Sequence, residues 1–393
     1  MSGFLTQAAG AGATEARPVA IGVLGYAFMG KAYANAFHTL RYMTWPPPLY
    51  PRLVSVAGRD EAAVAEAARR YGFERYVTDW AEVAADPEIE LFVNLGPNGL
   101  HAEPTIAAAQ AGKAVLCEKP LGRDAEESHR MWQAAEHAGV THMCSFNYRF
   151  VPAIRLAREI IESGELGEIR HFRCHFLQEW LADPELPMVW RLDRAQSGSG
   201  ALGDLGAHII DLARFLAGEI TAVSGQTRTF IPERGGVPVE VDDAFVATVE
   251  FEGGAVGTLE ASRFCLGNKA DLGFEINGSK GSLGFDLARL NELRAYYPDS
   301  RPGERTQGFR TVSVTEADHP FWEHWWPHGH VIGWEHTFVD QLQHLLAAVA
   351  DGGTVGPYGA TFEDGYRAAE VCDAVLRSSE HGGREVLEYR DAG

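Results

Sequence analysis

The stretch Ile21-Gly22-Val23-Leu24-Gly25-Tyr26-Ala27-Phe28-Met29-Gly30 decides how the first third of the chain is read. An apolar run suited to a buried strand breaks at Gly25, and Gly30 follows five positions later at the start of a helical stretch. At such a junction the helix's first backbone N–H groups and the positive end of its dipole favour a pyrophosphate. The spacing is G-x-A-x-x-G. Ala27 stands where a glycine would let phosphate approach most closely, so the motif is weaker taken alone. The pattern of the next hundred residues strengthens it: strands are expected over 19–25, 53–57, 91–95 and 114–118, alternating with helices from 29, over 61–71, over 104–111 and over 125–138. That rhythm predicts βαβ units around a parallel sheet. The run Trp45-Pro46-Pro47-Pro48-Leu49-Tyr50-Pro51 interrupts it and is expected to loop out, because proline supplies no backbone donor.

After Asn147 the pattern changes. One helix over 152–163 precedes alternating or aromatic runs at 171–178, 223–230, 244–251, 255–261, 272–277 and 281–285, with glycine-rich turns between them and a hairpin signal at 251–255. Two late helices are expected over 334–349 and 362–377. The fold class is therefore α/β: an N-terminal Rossmann domain with a parallel sheet, then an α+β domain with a large, mainly antiparallel open sheet. The domains are placed at 1–18 (a disordered leader), 19–146 (dinucleotide binding) and 147–393 (substrate binding and oligomerisation), with the C-terminal helices free to pack back on the first domain.

Composition narrows the partners. The 393 residues, 46% of them hydrophobic, suffice for two cores. A formal charge of −20 disfavours nucleic acid and anionic membranes, leaving a small-molecule partner. The five cysteines are scattered and never spaced C-x-x-C, which indicates neither a disulfide framework nor a thiolate metal site and fits a cytoplasmic location. No secretory signal or membrane span is read.

Two motifs carry chemistry. Cys117-Glu118-Lys119-Pro120 ends the strand at 114–118, and Gly203-Asp204-Leu205-Gly206-Ala207-His208 sets an acid and an imidazole four residues apart, one turn of a helix. An ammonium, a carboxylate and an imidazole converging on one carbon are what alcohol oxidation requires. At the end of the second strand, Val56-Ala57-Gly58-Arg59-Asp60 has Gly58 where NAD-preferring folds place an acid. Arg59 suits a 2'-phosphate and Asp60 a ribose diol, so the cofactor is NAD or NADP, with a lean to NADP.

Together these segments resemble the Gfo/Idh/MocA oxidoreductases, the family of glucose-fructose oxidoreductase and inositol dehydrogenase. The resemblance rests on the turn from Gly25 to Gly30, Pro97-Asn98-Gly99-Leu100-His101-Ala102, Glu118-Lys119-Pro120, Asn147-Tyr148-Arg149-Phe150 and the segment from Gly200 to Asp211. It implies that Lys119 faces the nicotinamide and the substrate hydroxyl, often with a cis bond before Pro120, and that Asp204 and His208 complete the catalytic set. Cofactor contacts are then expected from Gly25, Tyr26, Ala27, Phe28, Met29, Gly30, Gly58, Arg59, Asp60, Pro97, Asn98, His101, Glu118, Lys119 and Pro120. It further implies a homodimer or homotetramer through the open sheet.

For the substrate, Asn147, Tyr148, Arg149, Gln178, Trp190 and Arg191, with Asp204 and His208, offer apolar faces with polar tips suited to a carbohydrate or polyol. The run His319-Pro320-Phe321-Trp322-Glu323-His324-Trp325-Trp326-Pro327-His328 resembles a segment of the sugar dehydrogenases in this family that oxidise levoglucosan or glycosides at C3. Trp325, Trp326 and His328 are its expected saccharide wall. A metal at His324 and His328 is the alternative, but Pro327 interrupts the helix that would align them, and no metal is expected. The reading is an NAD(P)-dependent dehydrogenase acting on a ring secondary hydroxyl, at C3, of a sugar, anhydrosugar, glycoside or inositol. An NAD-dependent glycosidase working by transient oxidation and elimination, and a non-catalytic nucleotide-binding sensor, are the competing classes.

Overall fold

The computed structural model describes residues 16–298, 305 and 307–393; of the leader expected over 1–18, positions 1–15 lie outside the described residues. The chain divides into two compact units. The first comprises residues up to Phe150 with Gly333–Tyr366 and Asp391–Gly393; the second comprises Val151–Ile332 and Arg367–Arg390.

In the first unit, β1 (Pro18–Leu24), α1 (Phe28–Met43), β2 (Tyr50–Ala57), α2 (Glu61–Tyr71), β3 (Arg75–Val77) and α3 (Trp80–Ala85) form one half of the alternation. β4 (Leu91–Asn94), α4 (Ala102–Gln110), β5 (Ala114–Cys117), α5 (Ala125–Ala138) and β6 (His142–Cys144) form the other. The strands pair in parallel in the order β3-β2-β1-β4-β5-β6. Val19, Ile21, Val54, Val56, Phe92, Val93, Val115 and Leu116 are each fully enclosed, as strands covered on both faces require. Their run of β-branched and aromatic side chains is what made the sheet readable.

The proline segment departs from expectation at its end. Tyr50 and Pro51 belong to β2, and Pro51 pairs in register with Val19. β3 reaches only Ser55–Ala57, so the missing N–H of Pro51 falls on the unpaired edge, where proline is tolerated. Its carbonyl accepts from Arg41 Nε and Nη2 at 3.0 and 2.5 Å.

The second unit contains α6 (Pro152–Glu162), β7 (Ile169–Leu177), α7 (Arg194–Ser197) and α8 (Ala207–Ala217), followed by β8 (Ile220–Arg228), β9 (Glu233–Arg234) and β10 (Val237–Pro238). It continues with β11 (Ala244–Phe251), β12 (Val256–Ser262), β13 (Asp271–Gly278), β14 (Ser282–Asp286), β15 (Glu292–Tyr296) and β16 (Arg310–Ser313). Helix α9 (His336–Asp351) lies in the first unit, α10 (Phe362–His381) is divided between the units at Tyr366, and β17 (Glu385–Val386) closes the second. The large sheet runs β16-β15-β14-β13-β7-β12-β11-β8-β17, antiparallel except for β7 beside β12. Burial alternates along β11 and β12, with Phe245, Ala247, Val249, Leu259 and Ala261 turned inward and Val246, Thr248, Glu250, Val256 and Glu260 outward. That alternation is the mark of an antiparallel sheet with one covered and one open face.

Segment 333–366 returns to the parallel-sheet unit. Asn147 Nδ2 donates to Thr337 Oγ1 at 3.0 Å, Phe362 N donates to His142 Nδ1 at 3.0 Å, and Gln341 meets Met143.

Candidate active site

In the first unit the loops after β1, β4 and β5 lie side by side at the carboxyl ends of the strands, at the point where the strand order reverses. Leu95 N bonds Leu24 O at 2.8 Å and Glu118 N bonds Asn94 O at 2.9 Å. Gly25 has φ 101°, and a Cβ there would meet the Leu95 carbonyl at 2.6 Å, so only glycine closes this turn. Ala27 occupies the cap position of α1 with no side-chain acceptor, which leaves the first N–H groups of the helix for a ligand; those residues fit a dinucleotide pyrophosphate. At the end of β2, a Cβ on Gly58 would overlap the Tyr26 ring, so the space an acidic side chain would need there is filled. Arg59 is exposed, and Asp60 caps α2 by accepting from Ala63 N at 3.0 Å.

The loop after β4 is braced from below. Asn94 Nδ2 donates to Leu100 O, His101 O and Thr105 Oγ1, and its Oδ1 accepts from Gly96 N at 3.1 Å. His101, 1% exposed, spans Pro120 O at 2.8 Å and Gly96 O at 3.0 Å, tying that loop to the Lys119-Pro120 segment. Burial holds its imidazole below the ordinary histidine range, against the pull of both carbonyls. On the same loop Pro97 is exposed and Asn98 half-buried.

Lys119 is half-buried and precedes a cis peptide bond to Pro120. Beside it is a buried hydrogen-bonded chain: Tyr33 Oη lies 2.5 Å from Ser145 Oγ, which donates to Glu118 Oε1 at 2.8 Å, while Lys119 N donates to Glu118 Oε2 at 3.2 Å. Burial raises the Glu118 carboxyl above its usual range, opposed chiefly by the Lys119 charge. Burial also pushes the Tyr33 phenol up. An aromatic series continues from this chain, with Tyr33 edge-on to Phe338 at 5.3 Å, Phe338 edge-on to Trp334 at 4.7 Å, and Trp334 stacked on Phe28 at 5.6 Å. The glycine turn and the lysine loop are thereby held through one continuous set of contacts.

Asn147, Tyr148 and Arg149, expected at the substrate, form a buried single turn in this unit. Asn147 is engaged by Thr337, and Arg149, 2% exposed, is ion-paired with Asp364 at 3.2 Å.

In the second unit Asp204 and His208 lie on consecutive turns, as their spacing predicted, but the first of these is a π turn (Leu202–Gly206) running into α8. Such turns recur at functional sites. The turn is anchored from outside: buried Asp242 accepts from Gly200 N and Leu202 N at 2.8 Å each, and its carbonyl accepts from Ala201 N at 2.9 Å. Burial raises the Asp242 carboxyl, against those two N–H bonds. A Cβ on Gly200 would overlap the Asp242 carbonyl, so the close approach requires glycine. His208 is 7% exposed and packs 6.0 Å from the Phe176 ring; Asp204 Oδ2 accepts from Arg263 Nη2 at 2.9 Å.

Gln178 and the loop after β7 are pinned by Gln178 N to Ser262 O and Cys265 N to Gln178 O. Leu181, Leu192 and Val241 give this loop a small core of its own, and buried Arg234 donates to the Leu181, Asp183 and Leu186 carbonyls. The Arg191 guanidinium lies over the Trp190 ring at 4.4 Å. Trp325 is buried, whereas Trp326 and His328 are exposed. Among the described residues, no three His, Cys, Asp or Glu side chains group as metal ligands.

Asn94, Arg234, Asp242 and Arg263 were not singled out from the sequence. Asn94 carried a signal, a polar residue inside the apolar run Leu91-Phe92-Val93-Asn94-Leu95. The others show as buried charges only once their long-range partners are placed.

A parallel sheet in this order with a glycine turn on its first crossover, in one chain with an antiparallel-sheet unit presenting an acid and an imidazole, defines a dinucleotide-dependent oxidoreductase. The chain belongs to the Gfo/Idh/MocA oxidoreductases. The oxidoreductase family with an NAD-binding Rossmann fold matches residues 19–146, and the GFO/IDH/MocA C-terminal domain matches residues 154–284. Levoglucosan dehydrogenase of Pseudarthrobacter phenanthrenivorans is 41% identical over 378 residues, 91% of this chain and 95% of that protein. Inositol 2-dehydrogenase of Rhizobium meliloti is 27% identical, over 92% of this chain and 96% of that protein. A solved structure of levoglucosan dehydrogenase with NADH and levoglucosan superposes with a TM-score of 0.91 at 40% identity, covering 95% of this chain and 100% of that one.

Proposed function

We propose that this protein is an NAD-dependent dehydrogenase that oxidises a ring secondary hydroxyl, at C3, of a sugar, anhydrosugar, glycoside or inositol, with an anhydrosugar of the levoglucosan type as the first substrate to assay. The observation that carries the reading is the presence together of Lys119, beside the cis bond to Pro120, and of Asp204 and His208 on the consecutive turns that Asp242 anchors. When bound, the nicotinamide supplies the hydride acceptor. The Lys119 ammonium stabilises negative charge developing on the substrate oxygen, His208 takes the hydroxyl proton, and Asp204 orients the imidazole or a neighbouring hydroxyl. The turn from Gly25 to Gly30 would hold the dinucleotide pyrophosphate, and Gly58, Arg59 and Asp60 would receive its adenosine ribose. The exposed Arg59 makes NADP the second cofactor to test.

The five cysteines are free thiols, and no described helix is long and apolar enough to cross a membrane; both support a cytoplasmic enzyme. The open face of the large sheet supports a homodimer or homotetramer. The test measures reduced cofactor formed per sugar consumed, with NAD and NADP against levoglucosan, glucose, inositols and simple glycosides. Lys119→Ala is expected to lower kcat/KM by about 10²–10³ with NADH binding retained. Aglycone release without net NADH would favour the elimination reaction instead, and full turnover by Lys119→Ala would overturn the mechanism.

A further inference from the structure

Arg263 follows β12 directly and is 1% exposed. Its backbone is fixed on both sides, N donating to Asp243 O at 3.0 Å and O accepting from Leu181 N at 3.3 Å. Nη2 donates to Asp204 Oδ2 at 2.9 Å, and the guanidinium carbon lies 5.5 Å from the centre of the Trp180 ring. Nε and Nη1 are buried with no hydrogen-bond partner among the described residues.

Three carboxylates interact with this one cation, but they are not equivalent. Asp242 is held by Gly200 N and Leu202 N, and Asp243 by Phe230 N and Ile231 N. Asp204 receives the direct guanidinium bond. A buried arginine with two unmet donors is an expensive way to stabilise a fold, because desolvation offsets much of the ion pair. The turn has a backbone anchor of its own in Asp242, whereas Asp204 receives its direct bond from the guanidinium.

We infer that Arg263 is the positioning residue for Asp204: its buried guanidinium fixes the carboxylate of the Asp204/His208 pair in the orientation that the reaction uses. The inference rests on the function proposed above for that pair. Arg263 acts through Asp204, so a lysine, which keeps one charged donor but not the planar fork, restores part of the effect.

The test is a double-mutant cycle on kcat/KM with the sugar that wild type oxidises, using Arg263→Met, Arg263→Lys, Asp204→Asn and the double variant Asp204→Asn/Arg263→Met. Arg263→Met is expected to lose roughly 10–100-fold with the Kd for NADH unchanged, since about 1 Å of misplacement costs that much. Arg263→Lys is expected to recover part of the loss, and in the Asp204→Asn background removing Arg263 is expected to cost less than about threefold. Wild-type kcat/KM in Arg263→Met, or losses that multiply in the double variant, would overturn the inference. If Arg263→Met is insoluble, Arg263→Lys carries the same cycle.

A crystal structure of the Arg263→Met variant tests the point without activity. The Asp204 carboxylate is expected to rotate away or split into conformers while Leu202–Gly206 stays in place, and an unmoved carboxylate refutes the inference. A wild type that oxidises no sugar defeats the proposed function, yet this structural result still decides whether Arg263 orients Asp204.

Discussion

The anchoring of the Asp204/His208 turn by Asp242 makes a quantitative prediction. Asp242→Asn keeps one acceptor oxygen but turns an amide NH₂ toward the second backbone N–H, so one of the two 2.8 Å bonds is lost and a donor faces a donor. A hydrogen bond to a buried carboxylate contributes about 1.5–3 kcal/mol. Burial already holds the Asp242 carboxyl above its ordinary range, which offsets part of that gain and brings the expected loss to about 2 kcal/mol. For a folding unit of this size that corresponds to a drop in Tm of roughly 4–8 °C. Asp242→Ala strips both acceptors and is expected to cost more than Asp242→Asn. Differential scanning calorimetry gives the stability; kcat/KM and NADH titration give the rest. Activity is expected to fall about tenfold, because Asp204 and His208 ride on the loosened turn, while the Kd for NADH stays at the wild-type value. An Asp242→Asn variant that melts with wild type, or an Asp242→Ala variant more stable than it, would refute the reasoning.

Other outcomes are expected. Trp326→Ala removes an exposed indole and should raise the KM for the sugar while leaving the Kd for NADH alone; an unmoved KM takes Trp326 out of the site. Trp325→Ala, at a buried position, should show instead as a stability loss of about 3–5 kcal/mol, read by calorimetry. His142 is held below the ordinary histidine range chiefly by burial, so the unfolded chain takes up its proton first. Its contribution is present above the unfolded value and is lost as pH falls toward the folded one, by at most about 1.4 kcal/mol per pH unit. The Tm gap between wild type and His142→Gln should therefore narrow on acidification from neutral pH; a constant gap contradicts this. Tyr33→Phe removes the buried hydroxyl beside Ser145 and should cost about 1 kcal/mol in chemical unfolding.

Much of the architecture was legible because it repeats locally. The parallel strands are continuous apolar runs, α2, α3 and α5 carry aspartate caps, and β11 and β12 alternate. Short edge elements escaped: β3 and β6 are three residues each, too short for a pattern, and β15 and β16 border a charged, open face. Pro51 misled because its place in β2 depends on how far β3 extends, which no local pattern records.

The site divides in the same way. The glycine turn, Lys119 before Pro120, and the spacing of Asp204 and His208 are set by neighbouring residues, and the sequence by itself determined them. The partners that hold them lie far along the chain: Ser145 and Tyr33 for Glu118, Thr337 and Asp364 for the turn at Asn147–Phe150, and Asp242 and Arg263 for the Asp204 turn. Tertiary structure alone decided these, because a buried charge is tolerated only where a distant segment brings it a partner, and that pairing leaves no periodic trace in the sequence.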